Sequence, residues 1–199
     1  MDMYKRDTIN SYNKNAKVFA EKFKGLFDLE NRDEFRRFQE LLSGKKVLDL
    51  GCGGGDHALY FQQQGLDVTC VDLSQEMVKL CKEKGLHAIV MDIEDLKFEK
   101  ESFDGVWAVT SLLHVPKKNL GKVIDKIYYI LRRDGIFYLC VKEGEGEKYV
   151  MDADEQRGFF AYWQDEELRK ELKKFDLMDS KRNSVGNTSY LHFFLKKSK

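Results

Sequence analysis

The sequence carries no net charge and has no long apolar run. Its 34 basic and 34 acidic residues cancel, which argues against the electrostatic attraction that drives nucleic acid binding. No apolar stretch approaches the ~18 residues that a membrane-spanning helix needs. Residues 1–7 are polar and lack the apolar segment of a secretory signal. The sequence therefore predicts a cytoplasmic protein without a membrane partner, and its charge does not favour a nucleic acid partner.

Proline and cysteine are also scarce. The chain has a single proline, and no proline-rich linker divides it, so one domain is expected. The cysteines include no CxxC pair and the four histidines are scattered, whereas structural zinc sites use closely spaced pairs of these residues. The sequence therefore predicts reduced thiols and no metal site. The four cysteines are Cys52, Cys70, Cys81 and Cys140.

Apolar runs typical of β-strands alternate with helical patterns from residue 45 onward. The predicted strands are 46–50, 67–71, 87–91, 103–109 and 136–141. The chain ends in two further β-type runs around a Gly186-Asn187 turn, which indicates a hairpin. Because parallel strands that are buried on both faces read as continuous apolar runs, this order predicts an α/β fold. We expect a doubly wound, mostly parallel sheet with a C-terminal antiparallel hairpin.

The flanking segments show helical spacing or turn composition. Apolar residues predict one helix across residues 9–23 and a second around residues 35–42. A clean apolar stripe from Leu120 to Leu131 predicts another helix, with Gly135 just past its end. An acidic glycine loop at 143–147 and an aromatic stretch at 159–163 follow the fifth strand.

The strongest motif is the glycine-dense turn after the first strand, residues 47–55. Glycine lets the backbone approach a ligand closely, because it tolerates positive φ and has no side chain. In open α/β sheets the ligand lies at the carboxyl ends of the strands, where this turn stands. Asp72 ends the next strand, 21 positions after Gly51, where a carboxylate accepts hydrogen bonds from a ribose. The pattern predicts a nucleoside-containing cofactor.

A dinucleotide cofactor has to be distinguished from a sulfonium cofactor. The run from Gly53 to Ala58 fits the GxGxxA variant of the dinucleotide motif. A pyrophosphate would then lie beside Asp56 at the start of the next helix, where the like charge is unfavourable. S-adenosylmethionine has no phosphate and carries an amino group and a sulfonium, so the acidic residues favour it.

At this point the chain resembles a known family. Asp49-x-Gly51-x-Gly53-x-Gly55 resembles motif I of class I S-adenosylmethionine-dependent methyltransferases, and residues 68–77 resemble their second strand and following helix. The resemblance is close over 45–142 and loose in the flanks. It implies a Rossmann-like methyltransferase fold with a seven-stranded sheet in which one strand is antiparallel. It also implies one methyltransferase domain over 1–199, with a helical cap (1–44), a cofactor-binding core (45–142) and a substrate-side loop, helix and hairpin (143–199).

The resemblance further implies a set of cofactor contacts. Asp49 would meet the amino group of the methionine part and Asp72 the ribose hydroxyls, while Leu73 and Met77 would pack on the adenine. Each residue has a structural alternative, because carboxylates also accept loop N–H bonds and apolar side chains also fill cores. The candidate contacts are Tyr12, Asp49, Gly51, Cys52, Gly53, Asp72, Leu73, Met77, Asp92, Ile93 and Val109.

The methyl acceptor leaves fewer signals. His114 is the candidate general base, since its ordinary pKa near ~6.5 suits proton transfer, but its apolar neighbours favour a structural role. Residues 108–111 lack the Asn/Asp-Pro-Pro-Tyr/Phe pattern of enzymes that methylate amino groups of DNA bases or glutamine. We expect Tyr12, His114, Phe160 and Tyr162 to line a partly enclosed pocket.

Three functions remain open at this point. The first is methylation of a small molecule, the second is methylation of RNA or protein, and the third is binding of S-adenosylmethionine without catalysis. The absence of a basic stripe favours the first over the second. The sequence predicts neither the acceptor nor the oligomeric state.

Overall fold

A seven-stranded sheet forms the centre of the fold. The computed structural model describes residues 2–27, 32–151 and 157–197. The helices are α1 (Met3–Lys14), α2 (Ala16–Phe27), α3 (Arg32–Leu41), α4 (Asp56–Gln63), α5 (Gln75–Glu83), α6 (Lys117–Ile130) and α7 (Asp165–Glu171). The strands are β1 (Lys46–Leu50), β2 (Asp67–Asp72), β3 (His87–Val90), β4 (Phe103–Val109), β5 (Leu131–Lys142), β6 (Glu147–Met151), β7 (Arg157–Ala161), β8 (Phe175–Val185) and β9 (Thr188–Lys197).

The order of the strands confirms the expected fold class. The large sheet runs β3-β2-β1-β4-β5-β9-β8. Neighbouring strands from β3 to β5 are parallel, and β9 pairs antiparallel with both β5 and β8. The strand order reverses between β1 and β4, and this is where doubly wound sheets bind ligands.

Two apolar layers cover the sheet, one on each face. Successive side chains of a strand point to opposite faces, so Leu48 packs in the layer below α6 while Val47 packs in the layer below α3 and α4. Both side chains are fully buried. Trp107 fills the centre of the second layer, where its ring stacks on Tyr138 at a centroid distance of 4.1 Å. No helix among the described residues is long and apolar enough to cross a membrane.

The single helix predicted over residues 9–23 is wrong, because two helices occupy this part of the chain. Asn15 leaves helical geometry, with φ −112° and ψ 20°, and its N–H still bonds to the Ser11 carbonyl. The first helix also begins earlier than predicted, at Met3. The break separates α1, whose residues line the cleft at the carboxyl edge of the sheet, from α2, whose Ala20 packs against Gly54 of the turn after β1.

Two predicted boundaries near β5 are also wrong. Helix α6 ends at Ile130 without a glycine, since Leu131 already has the extended geometry of β5. Gly135 lies inside that strand, directly after Asp134, whose positive φ of 63° turns the chain. The acidic and aromatic segments after β5 contribute to a small antiparallel sheet, in which Tyr149 of β6 pairs with Phe159 of β7.

Candidate active site

A cleft opens at the carboxyl ends of β1, β2 and β4, and α1 forms its roof. The empty space in the cleft, together with its mouth that opens to solvent, amounts to about 810 Å³. Its walls combine backbone from the glycine turn with side chains from α1, from the ends of the strands and from the turn after β4. The lining residues are Lys5, Thr8, Ile9, Tyr12, Gly51, Gly53, Asp72, Leu73, Ser74, Asp92, Ile93, Glu94, Val109, Thr110, Ser111, His114 and Val115.

The glycine turn forms the floor of the cleft. The N–H groups of Gly51 and Cys52 both donate to the Val71 carbonyl, at 2.8 and 3.0 Å, which ties the turn to β2. Gly51 has φ +76°, and a Cβ at this position would overlap the Cβ of Ser111. Because Gly51 has no side chain, the turn after β4 can approach the turn after β1 closely.

Asp72 presents its carboxylate at the next strand end. Its Oδ2 accepts the Gly53 N–H at 2.9 Å, and its Oδ1 accepts the Ser74 N–H at 2.9 Å. Burial raises the pKa of this carboxyl to about 6, against these backbone hydrogen bonds, which lower it. Asp72 therefore accepts loop N–H groups, which is the structural role given above as the alternative to ribose binding. It also lines the cleft.

Asp49 lies behind the glycine turn and does not line the cleft. Its side chain is 3% exposed and accepts the backbone N–H of Ala58 at the start of α4. Burial raises the pKa of this carboxyl well above its usual range. Its Oδ2 has no hydrogen-bond partner among the described residues, so a buried acceptor stands unsatisfied beside the turn.

Tyr12 and His114 meet in the wall of the cleft. The imidazole Nδ1 lies 2.8 Å from the carbonyl oxygen of Phe159, and because a carbonyl only accepts, Nδ1 carries the proton. Nε2 therefore accepts from the Tyr12 hydroxyl, 3.0 Å away. Burial lowers the pKa of His114 to about 4, so the ring is neutral at physiological pH.

Polar contacts hold α1 over the cleft, and the sequence interpretation missed them. Lys5 Nζ lies 2.7 Å from Asp92 Oδ2 and 3.0 Å from Glu94 Oε1, both in the turn after β3. On the other side, Thr8 Oγ1 accepts the Phe159 N–H at 3.2 Å. Lys5, Thr8 and Tyr12 are spaced by three and four residues and so share one helical face. That spacing was visible in the sequence, but the predicted helix began at residue 9 and left out Lys5 and Thr8.

The structure brings most of the predicted cofactor contacts to the cleft, but not all of them. Met77 is fully buried in the core and Cys52 points behind the turn, where its Sγ lies 3.6 Å from Cys81 Sγ. Neither lines the cleft. The predicted residues that do line it are Tyr12, Gly51, Gly53, Asp72, Leu73, Asp92, Ile93, Val109 and His114.

Thr110 and Ser111 line the cleft without having been predicted. Thr110 has a positive φ of 52°, which is uncommon for a residue other than glycine. The Ser111 Oγ is buried and has no partner within the part of the chain that the structure describes. Their position directly after Val109, at the end of β4, was the available signal.

The aromatic residues of β7 stand behind His114 rather than in the cleft wall. The Phe160 ring packs edge-on against the imidazole at a centroid distance of 4.9 Å, and Tyr162 follows at 6.3 Å from Phe160. The Nζ atom of Lys142, at the carboxyl end of β5, lies 4.8 Å from the Phe160 ring centroid. Burial and nearby Lys22 lower its pKa, and no described carboxylate forms an ion pair with it.

Known methyltransferases resemble this chain in sequence. Residues 48–139 fit the family model described as a methyltransferase domain. A ubiquinone biosynthesis O-methyltransferase of Xylella fastidiosa is 35% identical over 105 residues, which make up 49% of this chain and 42% of that protein. The matched part therefore spans less than half the length of that relative.

Solved structures extend the similarity to most of the chain. A 1,6-didemethyltoxoflavin-N1-methyltransferase of Burkholderia thailandensis, solved with 1,6-didemethyltoxoflavin and S-adenosylhomocysteine bound, is 25% identical with a TM-score of 0.67, over 94% of this chain and 90% of that one. A SAM-dependent methyltransferase of Methanosarcina mazei is 19% identical with a TM-score of 0.75, over 81% and 97%. Residues 48–139 therefore match the methyltransferase-domain family, and the strand order together with these structures shows the fold of S-adenosylmethionine-dependent methyltransferases.

Proposed function

We propose that the protein binds S-adenosylmethionine in the cleft and transfers its methyl group to a small-molecule acceptor. The carboxylate of Asp72 carries this proposal, because it lines the cleft one strand away from the glycine turn. Each of its oxygens accepts one backbone N–H and retains further acceptor capacity. The two hydroxyls of a ribose are donors that match it.

The charge of the cleft favours a cofactor without phosphate. Acidic residues 72, 92 and 94 line it, and its one lysine, Lys5, is already paired with two of them. A pyrophosphate would be repelled by this set, whereas an amino group and a sulfonium are attracted. In this proposal Asp49 acts from behind the glycine turn, on the side of the methionine amino group, where its Oδ2 has no hydrogen-bond partner among the described residues.

The other residues that line the cleft are assigned to parts of the cofactor by their position. Leu73 and Ile93 flank Asp72 and Asp92, and they would hold the apolar faces of the adenine. Val109, Gly51 and Gly53 would contact the methionine part. Met77 and Cys52 do not line the cleft, and we assign them no cofactor contact.

Methyl transfer from a sulfonium is an in-line displacement, so the protein mainly positions the acceptor and excludes water. In this proposal α1 supplies the roof, and Lys142 and Phe160 stand on the acceptor side. A proton that leaves the acceptor reaches His114 Nε2 only through the Tyr12 hydroxyl, because that hydroxyl occupies the nitrogen's lone pair. Tyr12 and His114 would relay a proton from an acceptor that must lose one. For any other acceptor they would only position it.

A roofed cleft supports a small acceptor over RNA or protein, since a macromolecule needs an open surface. The names of the Xylella and Burkholderia relatives support the same class. We further propose one methyltransferase domain in which residues 45–142 bind the cofactor and residues 143–199 serve the acceptor. The four free cysteines fit a cytoplasmic location.

Titration calorimetry tests the cofactor assignment. S-adenosylmethionine and S-adenosylhomocysteine should each bind once per chain, with dissociation constants in the micromolar range (about −8 kcal/mol at 1 μM), and NAD should give no heat. Binding of NAD without a response to either sulfur compound would overturn the proposal. A screen of small metabolites with the methyl-labelled cofactor then separates an enzyme from a module that only binds it.

A further inference from the structure

Three of the four cysteines form a cluster directly behind the glycine turn. Cys52 belongs to the turn, Cys70 to β2 and Cys81 to α5. Their three Sγ atoms all lie within 4.8 Å of one another, and the Cys52 and Cys81 Sγ atoms are 3.6 Å apart. Cys140 stands apart from them in β5, with its Sγ 3.9 Å from His192 Nε2.

The fold, and not the sequence spacing, brings these thiols together. The parallel register of β1 and β2 pairs Asp49 with Cys70, which places Cys70 beside the start of the turn. Cys81 lies on the buried face of α5, one helical turn after Met77. Because the three elements are far apart in sequence and adjacent in space, the usual zinc spacing is absent although the ligand atoms converge.

The distances suit a metal ion that prefers sulfur. With a metal–sulfur distance of about 2.3 Å, a tetrahedral ion separates its thiolate ligands by roughly 3.8 Å, and a trigonal one by roughly 4.0 Å. The observed separations, 3.6 Å for one pair and no more than 4.8 Å for the set, bracket these values. No large movement of the backbone is therefore needed for all three sulfurs to reach one ion.

The surroundings provide access and partial charge compensation. Cys70 and Cys81 are fully buried, while Cys52 is partly exposed, so an ion enters at Cys52. Lys84 lies three residues after Cys81 and bonds the Gly54 carbonyl of the same turn at 2.7 Å. Its ammonium also pairs with Asp56 Oδ1 at 2.6 Å, so its positive charge is shared between that carboxylate and the thiolates around a divalent ion.

From this arrangement we infer that Cys52, Cys70 and Cys81 form a binding site for one thiophilic divalent cation of the zinc class. Three protein ligands leave the fourth position of such an ion for water or another small ligand. The site is distinct from the cofactor cleft, and it does not depend on the acceptor or on methyl transfer. Since Cys52 stands between Gly51 and Gly53, occupancy of the site fixes the turn that forms the cleft floor.

Cadmium titration of the fully reduced full-length protein tests the inference. A thiolate-to-cadmium charge-transfer absorption should rise and saturate at one ion per chain, and zinc should displace it. Cys52→Ser and Cys81→Ser should each weaken cadmium binding by roughly tenfold or more, because each removes a thiolate ligand. Cys140→Ser is the matched control, since it removes a buried thiol outside the cluster and should leave the titration unchanged.

Two results would overturn the site. One is a wild-type protein without the absorption band, and the other is a band of equal affinity in Cys52→Ser. Circular dichroism establishes that each variant is folded. If Cys81→Ser does not fold, Cys52→Ser decides alone, because the partly exposed position 52 tolerates an isosteric hydroxyl. Mass spectrometry before titration shows that the thiols are reduced, so that loss of binding is not caused by a disulfide.

Discussion

The Tyr12 hydroxyl donates to Nε2 of His114 over 3.0 Å, so three separate parts of the chain meet at one imidazole. Tyr12 comes from α1, His114 from the turn after β4, and the Phe159 carbonyl that holds Nδ1 comes from β7. The Phe159 carbonyl fixes the tautomer of the ring, because it can only accept and so requires the proton on Nδ1. The tyrosine hydroxyl then donates to the free nitrogen. The contact between Tyr12 and His114 also joins the roof of the cleft to its acceptor side.

Tyr12→Phe removes that hydroxyl and leaves the ring of residue 12 in place. We expect the free energy of unfolding to fall by about 1 kcal/mol, the net value of one hydrogen bond. The pKa of His114 should rise from about 4, because the freed Nε2 then gains a proton more easily. Nitrogen NMR of the imidazole measures both the tautomer and the titration. A proton on Nε2 in the wild-type protein would contradict the assignment.

Asp72→Asn should weaken binding of S-adenosylhomocysteine by tenfold or more, since it removes charge-assisted hydrogen bonds worth roughly 1.5–3 kcal/mol. In the wild-type protein the pKa of this carboxyl is raised to about 6, and ribose hydroxyls donate to its ionised form. The dissociation constant should therefore rise as the pH falls through about 6, by up to about tenfold per unit.

The pH dependence should vanish in Asp72→Asn, which has no proton to gain. Asp67→Asn is the control, because Asp67 is exposed at the opposite end of the same strand. Calorimetry between pH 5 and 8 (a range spanning roughly one unit below and two above the raised pKa) supplies the data. An unchanged affinity in a folded Asp72→Asn protein would restrict Asp72 to organising the turns.

Gly51→Ala should abolish measurable binding of S-adenosylhomocysteine and lower stability. Its positive φ costs an alanine about 1–2 kcal/mol, and its Cβ also overlaps Ser111. Gly65→Ala is a close control, since Gly65 has φ +84° and nothing within 4 Å of the added Cβ. Thermal unfolding and calorimetry of the two variants separate backbone strain from the steric overlap. Equal losses in both would mean that the approach of Ser111 is unimportant.

Lys5→Met should loosen the roof, because it breaks both ion pairs between α1 and the turn after β3. We expect faster hydrogen exchange in α1 and a roughly threefold to tenfold rise in the dissociation constant of S-adenosylhomocysteine. Lys14→Met, at the exposed end of the same helix, should change neither. Unaltered exchange in Lys5→Met would show that these two ion pairs do not hold the helix.

Local patterns were enough for the part of the fold that binds the cofactor. The bounds of β1 and β4 and the terminal hairpin all follow from short-range signals, namely apolar runs and turn glycines. The position of the glycine turn at the ligand edge follows in the same way, since the right-handed βαβ crossover leaves few arrangements. Asp72 was predictable because it ends a strand at a fixed distance from that turn.

Other features depend on contacts between distant parts of the chain. The break at Asn15 and the early start of α1 place Lys5, Thr8 and Tyr12 over the cleft, where their partners come from the turn after β3, from the turn after β4 and from β7. The cysteine cluster arises only when α5 packs against β2. Hydrogen bonds and sulfur contacts act over a few ångströms, and sequence periodicity does not encode which distant elements come that close. Folding of the sheet decides it.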